Sequence, residues 1–175
     1  MSKIGLFFDT QTSNTQTAAE MIQQELGGES VVELIDIAQA EPSDFAEFDK
    51  IIIGCPTWNV GELQSDWEDM YDELDDIDFS GKRVAYFGEG DQTGYPDSFQ
   101  DAMGMLEDKI SNGGGETVGY WSTEGYDFED SKALRDDKFV GLALDEDNQS
   151  DLTERADKIL GKSVKARVWV VDKNR

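Results

Sequence analysis

Histidine is absent from the chain. That removes the commonest general base and the commonest metal ligand. A single cysteine, Cys55, excludes an intrachain disulfide, a four-cysteine zinc site and a cysteine-ligated iron–sulfur cluster. Cysteine–histidine catalysis lacks its base. Cys55 follows an apolar run, so the expected role is a small buried hydrophobe. No run reaches the ~20 apolar residues of a membrane-spanning helix. The first residues show no apolar leader region, so a cytoplasmic location without membrane insertion is expected. Cations are scarce, 15 Lys and Arg against 39 Asp and Glu, a net charge of −24. Such a field repels nucleic acid and anionic lipid and favours a basic partner, besides keeping a chain soluble.

What is present is an order of elements. Ile4 to Phe8 is a short, wholly apolar run, as expected of a strand buried on both faces. Thr10-Gln11-Thr12-Ser13-Asn14-Thr15 follows, and an amphipathic helix starts near Gln16, with Ala18, Met21, Ile22 and Leu26 on its apolar face. The loop offers four hydroxyls and an amide but no Lys or Arg. With the unpaired N–H groups of a helix N-terminus, it suits a phosphate without any cationic side chain. It is not a P-loop, because the G-x-x-x-x-G-K-[ST] pattern is missing. The same residues would also make a plain polar turn with Ser13 or Asn14 as N-cap.

Four further apolar strands are expected, at Val31–Ile37, Ile51–Gly54 and Val84–Phe87 and in a fifth position that is divided. Cys55 to Gly61 reads as a loop punctuated by Pro56 and Gly61, and Leu63 to Leu74 as a helix. Gly88 to Tyr95 reads as a glycine-rich loop, and Phe99 to Ile110 as the apolar stripe of another helix. The fifth strand begins at Thr117–Trp121 and resumes at Phe139–Leu144, divided by an insertion of about twenty residues of the kind that is usually functional. Asp145 to Asp151 resembles half of a calcium loop, without its glycine and terminal glutamate. A last helix is expected from Leu152. Val164 to Val171 alternates more like a strand, the tail after about Asp157 departs from the apolar pattern of a helix, and the final 22 residues hold seven of the fifteen cations.

Strands alternating with helices predict one α/β domain over residues 1–175, a three-layer sandwich around a parallel sheet. In open sheets of this kind, ligands sit beyond the carboxyl ends of the strands. Three loops lie there: Thr10–Thr15, Thr57–Gly61 and Gly88–Tyr95. One suits phosphate, and the other two bring Trp58 and Tyr95. A phosphate joined to a large planar ring describes a flavin mononucleotide (FMN).

The chain resembles the long-chain flavodoxins. The resemblance rests on Thr10-Gln11-Thr12-Ser13-Asn14-Thr15 after its strand, Pro56-Thr57-Trp58-Asn59-Val60-Gly61-Glu62-Leu63, and Gly90-Asp91-Gln92 with Gly94-Tyr95. Phe99-Gln100-Asp101-Ala102, the divided fifth strand and Gly141 to Asp147 complete it. These motifs occur in order from residue 3 to about 155. The flavodoxin fold is itself one of the cases behind the rule on strand ends, so agreement with that rule is not independent.

The resemblance implies a flavodoxin-like sandwich with a five-stranded parallel sheet in the order 2-1-3-4-5. It implies a one-electron carrier, not an enzyme acting on a small substrate, with one non-covalent FMN. Thr10, Gln11, Thr12, Ser13, Asn14 and Thr15 would hold the phosphate. Trp58 and Tyr95 would cover the two faces of the isoalloxazine. Asp91 would contact the pyrimidine edge and Asp147 the ribityl chain. Thr57, Asn59, Gly61, Glu89, Gly90 and Gln100 would add mostly backbone contacts. The Asn59–Val60 peptide would turn over to present a carbonyl to flavin N5 once that atom is protonated. No catalytic or metal residue is implied. The expected partners of a monomeric carrier are basic redox proteins, such as a ferredoxin/flavodoxin–NADP reductase, and photosystem I or another low-potential acceptor.

The chain departs from the family pattern at Ser13, where a smaller residue is usual, and at Asp9 and Glu89, where uncharged residues are common. An exposed Asp9 would cost little, whereas a buried one would weaken phosphate binding. Two other classes share the fold. An FMN-dependent NAD(P)H:quinone or azo reductase would turn over NAD(P)H by itself. A flavin-free receiver-like domain would want clustered acids and a lysine at the strand ends.

Overall fold

The computed structural model describes residues 3–9, 13–146 and 148–149, apart from the Ser13 side chain. The expected last helix and the atypical tail lie outside these residues. Parallel strands β1 (Ile4–Phe8), β2 (Val32–Asp36), β3 (Lys50–Trp58) and β5 (Arg83–Glu89) form the centre of the main sheet. At its far edge stand β6 (Glu116–Val118) and β10 (Leu142–Leu144). The order is β2-β1-β3-β5-β10, with β6 also on β5. Both edge pieces run parallel to β5, β6 beside Arg83–Ala85 and β10 beside Phe87–Glu89. The fifth position is thus one divided strand, as the sequence predicts.

The sheet is apolar on both faces, and alternate residues serve opposite cores. Leu6, Phe8, Ile52, Ala85 and Phe87 pack on α1 (Ser13–Leu26) through Ala18, Ala19, Ile22 and Leu26. Phe7, Ile51, Ile53, Val84 and Tyr86 share the other core with Trp67 and Met70 of α2 (Ser65–Tyr71) and Met103, Leu106 and Ile110 of α3 (Asp101–Asn112). Phe7 stacks on Phe45 with ring centroids 4.0 Å apart. The buried Trp67 Nε1 donates to the Gly54 carbonyl at 3.0 Å, fastening α2 to β3. Gly54 leaves room for Phe87, whose ring would strike any side chain at 54.

Several local expectations change. α1 begins at Ser13, so Ser13 and Asn14 belong to its first turn and neither is the N-cap. The segment read as a loop from Cys55 is strand as far as Trp58. Pro56 lies within β3 opposite Glu89, and Thr57–Trp58 pair with β4 (Glu62–Leu63) in a hairpin. The following helix starts at Ser65, with Gln64 as N-cap, because Leu63 is held in that hairpin. β5 extends to Glu89, and α3 starts at Asp101 after Phe99 has turned into the core.

The insertion builds a small antiparallel sheet in the order β7-β9-β8, from β7 (Trp121–Ser122), β8 (Leu134–Arg135) and β9 (Lys138–Phe139). Trp121 and Phe139 therefore belong to the insertion and not to the fifth strand. Phe99, Tyr126, Phe128 and Phe139 form one aromatic cluster beneath it, with centroid separations of 5.2 to 5.8 Å.

Candidate flavin site at the carboxyl ends of the strands

Parallel pairing brings the ends of β1, β3, β5 and β10 to one edge. Thr10, Gln11 and Thr12 lie outside the described residues, as does Asp147. Asn14 and Thr15 sit on the first turn of α1, Asn14 exposed and Thr15 fully buried. Among the described residues the Thr15 Oγ1 has no hydrogen-bond partner. A buried hydroxyl left unsatisfied costs ~1–3 kcal/mol, so a ligand at this turn would relieve it.

At the end of β3, Thr57 Oγ1 accepts from the Ala102 N–H at 3.1 Å and so locks the strand to the start of α3. Trp58 closes the strand half-buried, outside the core. Asn59 holds a left-handed conformation, φ 48°, and its Nδ2 donates to Glu62 Oε2 at 2.9 Å. Val60 is 74% exposed. Gly61 has φ 81°, and a Cβ there would lie 2.7 Å from Asp101 Oδ2, so the turn requires glycine.

At the end of β5, Glu89 is buried and Gly90 N–H donates to the Leu144 carbonyl at 2.9 Å. The Asp91 carboxylate caps its own turn. It accepts from the Gly94 N–H at 2.8 Å, the Thr93 N–H at 3.1 Å and Asn148 Nδ2 at 2.9 Å. The Gly94 N–H and Asn148, with the Thr93 N–H, hold its pKa below the usual carboxylate range, against the opposing effect of burial. Its side chain is committed to shaping the loop. Tyr95 follows, 44% exposed. Gln100, left-handed at φ 64°, is fully buried; its Nε2 donates to the Leu144 carbonyl at 2.9 Å while Oε1, unpartnered, lies against Gly88.

Sequence reasoning missed the support beneath Tyr95. Asp145, placed in a half calcium loop, is fully buried and accepts from Gln92 N–H and Nε2 and from Asn148. Gln92 Oε1 in turn accepts from the Asp127 N–H at 2.6 Å, tying the insertion to the same loop. Its only signal in sequence was Gln92 beside the glycines. Among the described residues no cluster of acidic or sulfur side chains could hold a metal ion. The buried Cys55 thiol has its pKa pushed far up by burial and then by the charge of Asp9, so it is inert.

A flavodoxin family profile matches residues 6–158. The chain belongs to the flavodoxin family. It is 68% identical over 154 residues to the flavodoxin of Synechocystis sp., covering 88% of this chain and 91% of that one. It is 60% identical over 171 residues to the flavodoxin of Trichodesmium erythraeum, covering 97% and 100%. Among solved structures, the Fusobacterium nucleatum flavodoxin bound to flavin mononucleotide superposes with a TM-score of 0.89 at 32% identity, covering 95% of this chain and 98% of that one. At 175 residues and with its fifth strand divided, this flavodoxin has the proportions of the long-chain class.

Proposed function

We propose that this chain carries single electrons between proteins on one non-covalently held FMN, at the edge described above. The observation that supports it best is the buried, unpartnered Thr15 hydroxyl on the first turn of α1, at the edge where Trp58 and Tyr95 stay out of the core. When bound, FMN supplies the redox chemistry.

The protein would supply binding and electrostatics. Thr10, Gln11, Thr12, Ser13, Asn14 and Thr15 would hold the phosphate with hydroxyls, an amide and the N–H groups of α1, whose macrodipole favours an anion. Trp58 and Tyr95 would cover the two ring faces and exclude water. The backbone of Asp91 and Gly90 would meet the pyrimidine edge, and Asp147 the ribityl chain. Thr57, Gly61, Glu89 and Gln100 would fix the loops that surround the ring. Asn59 and Gly61, both left-handed, flank Val60. That turn would let the Asn59–Val60 peptide rotate and offer its carbonyl to a protonated flavin N5. Carboxylates at this edge would raise the energy of added negative charge and so lower the potential of the second electron.

The net charge of −24 would steer the protein toward basic faces on its partners, such as a ferredoxin/flavodoxin–NADP reductase, photosystem I or another low-potential acceptor. It would act as a monomeric single domain in the cytoplasm. Among the described residues no helix is long and apolar enough to cross a membrane.

An absorption titration tests the reading. The purified chain should take up one FMN, pass through two resolved one-electron stages on stepwise reduction, and leave NAD(P)H unoxidised by itself. Failure to bind FMN, or steady NAD(P)H turnover without a partner, would overturn it.

A further inference from the structure

The start of α3 holds both ends of one exposed turn. β3 runs to Trp58 and β4 begins at Glu62, so Asn59, Val60 and Gly61 make the whole connection. Ahead of the turn, Thr57 Oγ1 accepts from the Ala102 N–H at 3.1 Å. Behind it, Gly61 rests on the Asp101 side chain. A Cβ built on Gly61 would come within 2.7 Å of Asp101 Oδ2, 3.4 Å of Asp101 Cβ and 3.3 Å of Ser98 Cβ. Asp101 and Ser98 are both buried, so neither has room to swing aside.

The Asp101 carboxylate is itself fixed. Its Oδ1 accepts from the Lys132 N–H at 2.7 Å, and the Lys132 charge lies nearby. One turn further along α3, a Cβ on Gly104 would strike the Lys132 carbonyl, so helix and insertion meet backbone to backbone. The insertion thus backs the residue that supports Gly61. The middle of the turn has no such hold. Among the described residues, the backbone of Asn59 and Val60 takes part in no turn or loop hydrogen bond. Val60 is exposed, and the Asn59 side chain reaches only Glu62 within the same hairpin.

We propose that Asp101 is a positioning residue for this turn: by holding Gly61 against α3 it confines rotation to the Asn59–Val60 peptide, and so raises the first of the two one-electron potentials of the bound flavin. The proposal rests on the FMN reading above. A peptide that turns between fixed ends delivers its carbonyl to one place. A turn loose at Gly61 must be ordered again each time that carbonyl meets the protonated N5. Ordering one backbone residue costs about tenfold in an equilibrium constant. The cost falls on the first electron, because N5 takes up its proton at that step. Loss of the Asp101 charge acts differently, on the negative charge added with the second electron.

The test is a spectroelectrochemical titration of the FMN-loaded full chain, in the parent, Asp101→Asn, Asp101→Ala and Asp101→Ser. Asparagine removes the charge but keeps the shape and an acceptor for the Lys132 N–H, so it isolates charge from position. The first potential should be lower in the alanine and serine variants than in the asparagine variant, by about tenfold in the equilibrium constant or about 59 mV. A second reading needs no flavin: the NMR order parameter at Gly61 in the flavin-free chain should be lower in the same two variants. Lost unfolding stability does not decide, since any variant that frees the Lys132 N–H incurs it. The serine variant carries the comparison if the alanine variant does not fold. A first potential equal in all the variants, or an order parameter at Gly61 equal in all of them, would overturn the proposal and leave the carrier reading intact. Failure of the parent to bind FMN would overturn the carrier reading, and this proposal with it.

Discussion

The Asp145 carboxylate accepts two hydrogen bonds from Gln92, one from the backbone N–H at 3.0 Å and one from Nε2 at 2.8 Å. The end of the divided fifth strand thereby anchors the loop that carries Tyr95. Asp145→Ala leaves a buried N–H unsatisfied and should lower unfolding stability by ~1–3 kcal/mol. It should also weaken FMN binding through a loosened Tyr95. Urea denaturation and flavin titration would check both, and Asp145→Asn, which keeps one acceptor oxygen, should recover part of each. Undiminished flavin affinity in Asp145→Ala would mean that Tyr95 does not depend on this anchor.

The insertion is pinned to α3 by one cation. Arg135 Nη2 reaches the buried Glu107 Oε2 at 3.0 Å and the exposed Asp108 Oδ1 at 2.7 Å, while Glu107 Oε1 accepts from Thr117 Oγ1 at 2.8 Å. Arg135→Met should cost ~1–2 kcal/mol, since Glu107 is enclosed but the cation is partly wet. Limited proteolysis should then cut first within residues 119–141. A double-mutant cycle with Glu107→Gln should show coupling of at least ~0.5 kcal/mol.

Acid should act on the Asp91 turn. Its carboxyl titrates below its unfolded value because the Gly94 N–H, Asn148 and the Thr93 N–H favour the charged form. Such a group adds stability that is full above the unfolded pKa of about 3.9 and is lost as pH falls through the lower folded value. Asp91→Asn should therefore lose stability at neutral pH and show a shallower decline below about pH 4. Denaturation midpoints measured from neutral pH downward, beside the parent, would reveal it; parallel curves would refute it.

Close approach of backbones fixes where the fifth strand resumes. A Cβ on Gly141 would strike the Tyr86 carbonyl oxygen and backbone. Backbone cannot move aside as a flexible side chain can, so Gly141→Ala should destabilise by at least ~1–3 kcal/mol. By contrast Gly28→Ala meets nothing within 4 Å, and only its φ of 88° opposes it. Thermal unfolding of the two variants should show the larger loss at Gly141.

The parts legible in advance were those written in local pattern. Ile4–Phe8, Ile51–Gly54 and Val84–Phe87 are apolar without a break because helices cover both faces of the sheet, and the three appear as its centre. Local pattern misread Cys55–Gly61, because Pro56 and Gly61 signal a loop wherever they occur. Pro56 is tolerated here inside β3, and the chain turns only at Asn59–Gly61. It also misplaced Trp121 and Phe139, whose apolar character suits either the main sheet or the small one beside it.

By itself the sequence determined the alternation of strands and helices, the family, and the uncharged character of the segment Thr10 to Thr15, because each depends on residues adjacent in the chain. Only the tertiary structure decided which carboxylates are buried at the carboxyl-end edge of the sheet and which merely face water. It also decided that Asp145 holds a loop 53 residues away. Burial and hydrogen bonding between distant segments exist only once the parallel strands have brought their carboxyl ends to one edge, and no spacing along the chain encodes that meeting directly.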